Sequence, residues 1–343
     1  MRPRIHEREW QVMNALVRSL TISEVSRLTG IPPATVAQII KRLSHRFKIS
    51  FEIDYRKIGL LPIALFLRDF RKRIDSVPPY TVTVRKLFSS DPYFLVTAIV
   101  PEEHLDEYLA ELGEKPVYIV RGLERVFWTP EAKLTSFQKV SSREGILVPQ
   151  WGILYDMLER EDLPVPLTAE KIEFDTVDLG IIFYKSLDLF KKIAEIARLL
   201  KEDLGKNYSR QLLLYHFKVH VLRCWISNTV KPFIDMKVVP MRTILLEGEE
   251  APKVARILVQ LPHFYSALID EDKALITGQP LCSMQEKIYE LISYSDARMP
   301  LGDIIMSSLS IVKEMLRYHE LFREGMWLSP TEAREVLKES FYK

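Results

Sequence analysis

Residues 21–47 read TISEVSRLTGIPPATVAQIIKRLSHRF, two short helices about a tight turn. Ser23 is placed to cap the first helix. Glu24 sits in its first turn, where a carboxylate meets the positive end of the helix dipole. Val25 and Leu28 give this helix an apolar side, and Gly30 ends it as a residue that tolerates a left-handed backbone. Pro32 and Pro33 open the second helix, where a missing N–H costs nothing. Val36, Ile39, Ile40, Leu43 and Phe47 make one apolar stripe along it. Thr35, Gln38, Lys41, Arg42 and His45 occupy the opposite face, and Arg46 follows at the end. A helix greasy behind and amide- and cation-bearing in front suits a DNA major groove. There Gln pairs with adenine, and Arg or Lys with guanine.

Upstream, Trp10, Met13, Val17 and Leu20 recur at helical spacing and can back the helix-turn-helix. Downstream, Lys48–Asp54 (KISFEID) alternates as a wing strand does. From Arg2 to Lys48 nine cations face three acids, a local charge of +6, while the whole 343-residue chain carries only +2. These features predict a winged helix that binds duplex DNA.

The length allows two to four modest domains with real cores. Two cysteines, Cys224 and Cys282, give no disulfide framework and suit a reducing compartment. The opening MRPRIHEREW lacks the apolar centre of a signal peptide, and no apolar run approaches the roughly 20 residues of a membrane span. The expectation is a cytoplasmic, nucleoid-associated protein with no membrane partner.

Past the wing, Leu60–Leu67 reads as a strand buried on both faces, and Tyr80–Leu87 and Tyr93–Val100 as further strands. A helix from Pro101 ends at Gly113, and Val117–Trp128 adds a strand or strand pair. The order then restarts. Helices are expected at Phe174–Leu187, Leu189–Leu200 and Ser209–Trp225, followed by strands and helices from Lys237 to Ile292. Asp91-Pro-Tyr-Phe94 and Leu261-Pro-His-Phe264 each open an apolar strand. The pattern predicts an α+β fold in which a winged helix-turn-helix and a ferredoxin-like α/β sandwich are duplicated in one chain. The expected divisions are a winged helix at 1–54, a ferredoxin-like effector and dimerisation domain at 55–134 and a linker at 135–170. A second winged-helix-like domain at 171–230, a second ferredoxin-like domain at 231–296 and C-terminal helices at 297–343 complete the chain. The linker holds one helical turn near Trp151–Met157, Leu301–Phe322 has an amphipathic helical pattern, and Ser329-Pro-Thr-Glu332 starts the last helix.

SEVSRLTGIPPATVAQIIKRL and the linker-like Asp54-Tyr-Arg-Lys-Ile-Gly-Leu60 resemble the Lrp/AsnC family of transcription regulators, and more loosely other archaeal winged-helix regulators. The resemblance implies RAM/ACT-like α/β domains that associate as a homodimer and present helix-turn-helix units to double-stranded DNA. It also implies a small-molecule effector near glycine-containing turns. The matching turns here, Ser89-Ser-Asp-Pro92 and Gln260-Leu-Pro262, hold no glycine. The family has one helix-turn-helix per chain, so two in one chain would mimic its dimer.

His216, His220 and Cys224 stand at i, i+4 and i+8 of the second candidate recognition helix. Imidazole and thiolate ligate transition metals at such spacing, but no fourth ligand is visible, and the expectation is no metal and no cofactor. Arg210, Gln211 and Lys218 are the expected DNA contacts of that unit. No nucleophile elbow, phosphate-cradling glycine loop or zinc-hydrolase motif occurs, so no enzyme is expected. The sequence thus predicts a DNA-binding transcription regulator. The alternative is a protein-interaction adaptor of the transcription machinery.

Overall fold

A computed structural model describes residues 3–72, 76–160 and 163–341, the side chains of 338–341 excepted. Arg2 of the basic run and residues 161–162 of the connecting segment lie outside the described residues. The first helical unit comprises β1 (Ile5–His6), α1 (Glu7–Leu16), α2 (Ile22–Thr29), α3 (Pro33–Ser44) and β2 (Phe47–Ile53). Thr21, not Ser23, caps α2. Its hydroxyl oxygen accepts from the Glu24 N–H at 3.2 Å, and the Glu24 carboxylate accepts from the Thr21 N–H at 3.1 Å. This reciprocal box satisfies two orphan donors, which a lone serine cap cannot. Gly30 closes α2 at φ 69°, and Val36, Ile39, Leu43 and Phe47 pack on Val12, Met13 and Leu16.

The chain continues through β3 (Leu60–Leu67), β4 (Thr81–Phe88), β5 (Tyr93–Pro101), α4 (Leu105–Leu112), β6 (Tyr118–Arg121) and β7 (Glu124–Phe127). Residues 135–160 hold β8 (Thr135–Lys139), β9 (Glu144–Pro149) and α5 (Leu154–Arg160). Only the helical turn was foreseen there. The hairpin pairs with β1, Ile5 opposite Gly145, and a partner so far away in sequence leaves no local signal. A second helical unit follows: α6 (Thr176–Leu187), α7 (Ile193–Leu204) and α8 (Arg210–His216). α8 runs through a π-helical turn at Phe217–Val221 into α9 (Leu222–Cys224) and then β10 (Trp225–Pro232). Next come β11 (Arg242–Glu247), α10 (Ala251–Leu258), β12 (Phe264–Ile269), β13 (Lys273–Gly278), α11 (Gln285–Ser293) and β14 (Ile304–Lys313). A small β15 (Phe322–Arg323) and β16 (Met326–Trp327) pair precedes α12 (Pro330–Phe341). No described helix is long and apolar enough to cross a membrane.

The whole is a mixed α+β fold on one nine-stranded antiparallel sheet, ordered β6-β3-β5-β4-β14-β11-β13-β12-β7. The first four strands and the next four share one arrangement, with the fourth strand in sequence beside the first, then the third, then the second. This is the ferredoxin-like order. β6 and β7 stand at opposite ends of the sheet yet are consecutive in the chain, so the short link through Gly122 brings the two ends of the sheet together. A side chain at Gly122 would strike Leu268 at 2.4 Å and the Pro62 carbonyl at 2.9 Å. Ala64, Phe66, Leu95, Leu245, Leu275 and Ile304 fill the interior.

Two expectations fail here. Residues 304–313 are strand, not helix. β14 hydrogen-bonds both β11 (Arg242 opposite Ile305) and β4 (Met306 opposite Leu87), joining the two halves of the sheet. Its apparent helical stripe was coincidence, since Leu309 is 77% exposed while Ile304 and Val312 are buried. The paired landmarks also misalign. Tyr93 opens the third strand of its set and Phe264 the second of its own.

The two helical units are joined through their wings. β2 and β10 form an antiparallel ribbon from Phe47 opposite Pro232 to Ile53 opposite Trp225. Asn228, fully buried, donates to the Leu16 and Ser19 carbonyls at 2.8 and 2.7 Å and so caps the end of α1 from the other half.

The second unit is tied to the C-terminal segment by a polar cluster. Asp203 accepts from the Tyr184 hydroxyl, from Arg317 at 3.1 Å and from His319 Nε2 at 3.1 Å. Burial drives the His319 pKa down to about 4 from 6.5, against the pull of Asp203, and Nδ1 has no partner to welcome a proton. A base depressed in the folded state binds protons first in the unfolded chain. Stability therefore falls as pH drops from 6.5 towards 4, by about 3 kcal/mol from this residue. His319→Gln keeps a donor towards Asp203 without titrating. In urea unfolding the gap between parent and variant should shift in the variant's favour by about 2–3 kcal/mol between about pH 7.5 and about pH 4.5. A constant gap refutes it. The carboxyls of Asp178 and Glu320, raised by burial, bias stability the other way, so parent and variant are compared at each pH.

Candidate functional site

The residues singled out on α3 fall into separate environments. Thr35 and Arg42 line a cleft with His6, Glu7, Arg8, Gln11, Ile39 and Arg143. Gln38 and Lys41 are exposed. His45 caps the C-terminus of α3 and borders a shallow depression with Arg46, Phe47, Pro232 and Phe233. Arg46 turns back on its own unit, donating to the Arg4 carbonyl at 2.5 Å and pairing with Glu9 at 3.6 Å. In the second unit Arg210, Gln211 and Lys218 are exposed but stand among greasy neighbours. Leu212, Leu214, Tyr215 and Val219 are each between 37% and 54% exposed. Moreover, β2, the strand expected as a wing, spends an edge on β10, a strand at 225–232 that was not expected.

The chemistry concentrates instead where α6 meets α8. Asp175 caps α6, its carboxylate accepting from the Val177 and Asp178 N–H groups at 2.8 and 3.0 Å. Asp178, at the third helical position, answers by accepting from the Asp175 N–H at 2.9 Å. This box fixes the Asp178 carboxylate at the buried base of the helix, 1% exposed. Across from it, His216 Nδ1 lies 2.9 Å from Oδ1 and His220 Nδ1 lies 3.0 Å from Oδ2. The possible ligand atoms of Asp178, His216 and His220 all lie within 4.8 Å of one another. Burial lifts the Asp178 pKa, opposed by its hydrogen bonds from Asp175, His220 and His216. The ring of Tyr215 meets both imidazoles edge-on, at 5.9 and 5.6 Å between centroids.

The π turn at Phe217–Val221 begins just after His216 and contains His220. Such turns concentrate at functional sites, because the extra residue rotates the side chains that follow. Cys224, placed with the histidines by simple helical spacing, does not join them. Its Sγ contacts the His220 carbonyl at 4.0 Å, and burial pushes its pKa up to about 12, so the thiol stays protonated. The missing member is Asp178. Its signal in the sequence is a lone acid in the otherwise apolar run Val177–Phe183.

No family model matches this sequence, and no curated protein does. Two solved structures match this chain over most of its length, both crystal structures of the siroheme decarboxylase NirDL, one of them in co-complex with an iron-uroporphyrin III analogue. Each is 12% identical, covers 97% of this chain and 99% of its own, and superposes with a TM-score of 0.49. These findings correct the expected Lrp/AsnC-like DNA-binding regulator, its double-stranded DNA partner and the absence of enzymatic activity. Both matching structures are of an enzyme.

Proposed function

We propose that this chain is a metal-dependent enzyme acting on a small molecule, with Asp178, His216 and His220 as the protein ligands of one divalent transition metal. The observation that carries this reading is the approach of two imidazole Nδ1 atoms to one buried carboxylate, at 2.9 and 3.0 Å. Ligands of a tetrahedral ion stand about 3.3 Å apart, so uptake asks for an opening of a few tenths of an ångström and release of the Nδ1 protons. Two nitrogens and one oxygen suit zinc or ferrous iron, and three protein ligands leave a position for water or substrate. The class of reaction is one in which a bound cation polarises a substrate oxygen or activates water.

The chain is read further as a tandem duplication whose halves have diverged. α1 and α6 each carry a buried acid at the third helical position, Glu9 and Asp178. Counted from the caps Pro32 and Ser209, the counterparts of His216 and His220 in α3 are Ile39 and Leu43, both buried and apolar. The ligand set exists in one half only, as expected when one copy keeps chemistry and the other structure.

The test is titration of the metal-free full chain with zinc, and anaerobically with ferrous iron, followed by calorimetry and elemental analysis. One equivalent should bind, and His216→Ala or His220→Ala should weaken binding at least about a hundredfold while Cys224→Ala does not. Binding below one equivalent, or retained by the His216→Ala/His220→Ala double variant, makes the cluster a helix tie only. Melting curves of the metal-free variants separate lost ligands from lost fold.

A further inference from the structure

The groove between the first and third helices that holds Asp178 and the histidines in the second unit has a counterpart in the first. There it opens as a cleft of ≈ 650 Å³ between α1, α3 and the start of β9. Its chemistry is different. Arg8, Arg42 and Arg143 converge on it, with Thr35, Gln11 and His6 between them. The one acid on its wall, Glu7, is neutralised by Lys139 at 2.6 Å. No carboxylate lies within ion-pairing distance of Arg8, Arg42 or Arg143 among the described residues, although the neighbouring arginines are engaged. Arg4 pairs with Glu144, Arg18 with Glu131 and Arg46 with Glu9.

The three guanidiniums come from three elements held in place by separate bonds. Arg8 follows the His6 cap of α1, and its N–H donates to His6 Nδ1 at 3.4 Å. Arg143 is fixed where its carbonyl accepts from the Glu7 N–H at 2.8 Å. Arg42 projects from α3, whose buried Ile39 floors the cleft. Like charges gathered without counterions raise the free energy of the empty protein, and an anion relieves it. Guanidinium forks match the planar faces of carboxylate and phosphate two bonds at a time.

We propose that this cleft binds a small organic polyanion, a molecule bearing two or more carboxylate or phosphate groups, at a site separate from Asp178, His216 and His220. Its concave shape and the positions of the arginines on three different elements favour a compact ligand over a duplex. Binding lowers the salt sensitivity of the first helical unit and does not require a metal.

The experiment uses the full chain, with citrate and pyrophosphate as probes and calorimetry or ligand-detected magnetic resonance as readout. One of the two should bind in the micromolar to low millimolar range. Which one it is separates a carboxylate ligand from a phosphate ligand. Arg42→Ala and Arg143→Ala should each weaken binding about tenfold, as loss of a charge-assisted bond does, and Arg27→Ala on α2 should not. Zinc uptake at Asp178 should be unchanged in these variants, so failure here and failure of the metal centre are read apart. No saturable binding of either probe overturns the proposal. So does equal loss on Arg27→Ala, or tighter binding of a mixed-sequence duplex that the probes fail to displace.

Discussion

Glu52→Ala should destabilise the protein by about 3–5 kcal/mol, because it strands a buried ammonium. Glu52 lies on β2 and accepts from Lys231 of β10 at 3.2 Å, from Thr229 at 3.2 Å and from Arg125 of β7 at 3.4 Å. One carboxylate thus ties both wings to a strand at the end of the sheet. Burial pushes its pKa up, but the cations of Lys231 and Arg125 overcome this and hold it at about 2. A carboxylate depressed from 4.5 stabilises the fold above 4.5, and that contribution, roughly 3 kcal/mol, disappears as pH falls from 4.5 towards 2. Lys231 is itself pulled down by burial, against the attraction of Glu52. Hence Lys231→Met added to Glu52→Ala should recover part of the loss, since the buried ammonium is then gone and only Arg125, which also donates to the Ile53 carbonyl at 3.3 Å, is left without the carboxylate. Denaturant unfolding of the single and double variants measures this. A single-variant loss below about 1 kcal/mol would mean that water reaches the ribbon and that the wings are not sealed.

The difference between what was legible in the sequence and what was not follows the range of the interactions. Thr21–Phe47 announces its helices because caps, the Gly30 turn and the apolar stripe act within one or two turns. The strands Leu60–Leu67 and Tyr93–Pro101 were readable from burial and alternation for the same reason. By contrast, the pairing of β2 with β10 is set by partners such as Phe51 and Asn228, far apart in the chain. A wing strand and a strand in a closed ribbon have the same local sequence, so the expectation of a free wing, and of DNA against it, had no local check. β14 was misread because a strand that joins two halves of one sheet and twists through bulges samples apolar positions at irregular spacing, which can imitate a helix. At the candidate centre the sequence showed His216 and His220 in register with Cys224, with no metal expected, and did not show Asp178 beside them. Regular helical spacing pointed to Cys224. The π turn broke that regularity, and the true neighbour came from α6, nearly forty positions earlier.

The same interlocking explains why the first helical unit and its arginine cleft depend on residues that follow the sheet. Trp128 comes directly after β7, yet it is fully buried in the core formed by α1, α2 and α3. Its Nε1–H donates to Thr135 Oγ1 at 3.0 Å, and that hydroxyl donates to the Gln260 carbonyl at 2.7 Å. Leu147 of β9 shares the same core, and Trp10 stacks on Phe137 of β8 with centroids 5.4 Å apart. The hairpin that carries Arg143 is therefore held by apolar packing against the helices, with Trp128 as its largest member. Trp128→Ala opens a cavity that the strands on either side cannot close, and should cost about 3–5 kcal/mol. Trp128→Phe keeps much of the volume and loses the hydrogen bond, so its cost should be about half as large or less. Hydrogen exchange should then show β8, β9 and α1 losing protection together in the alanine variant, while α10 and α11, packed in a separate core, keep theirs. Binding of the polyanion probe should weaken in parallel, because Arg143 loses its anchor. If exchange instead rises across the whole chain at once, the hairpin and the helices unfold only with the entire molecule, and the first unit has no separate stability to lose.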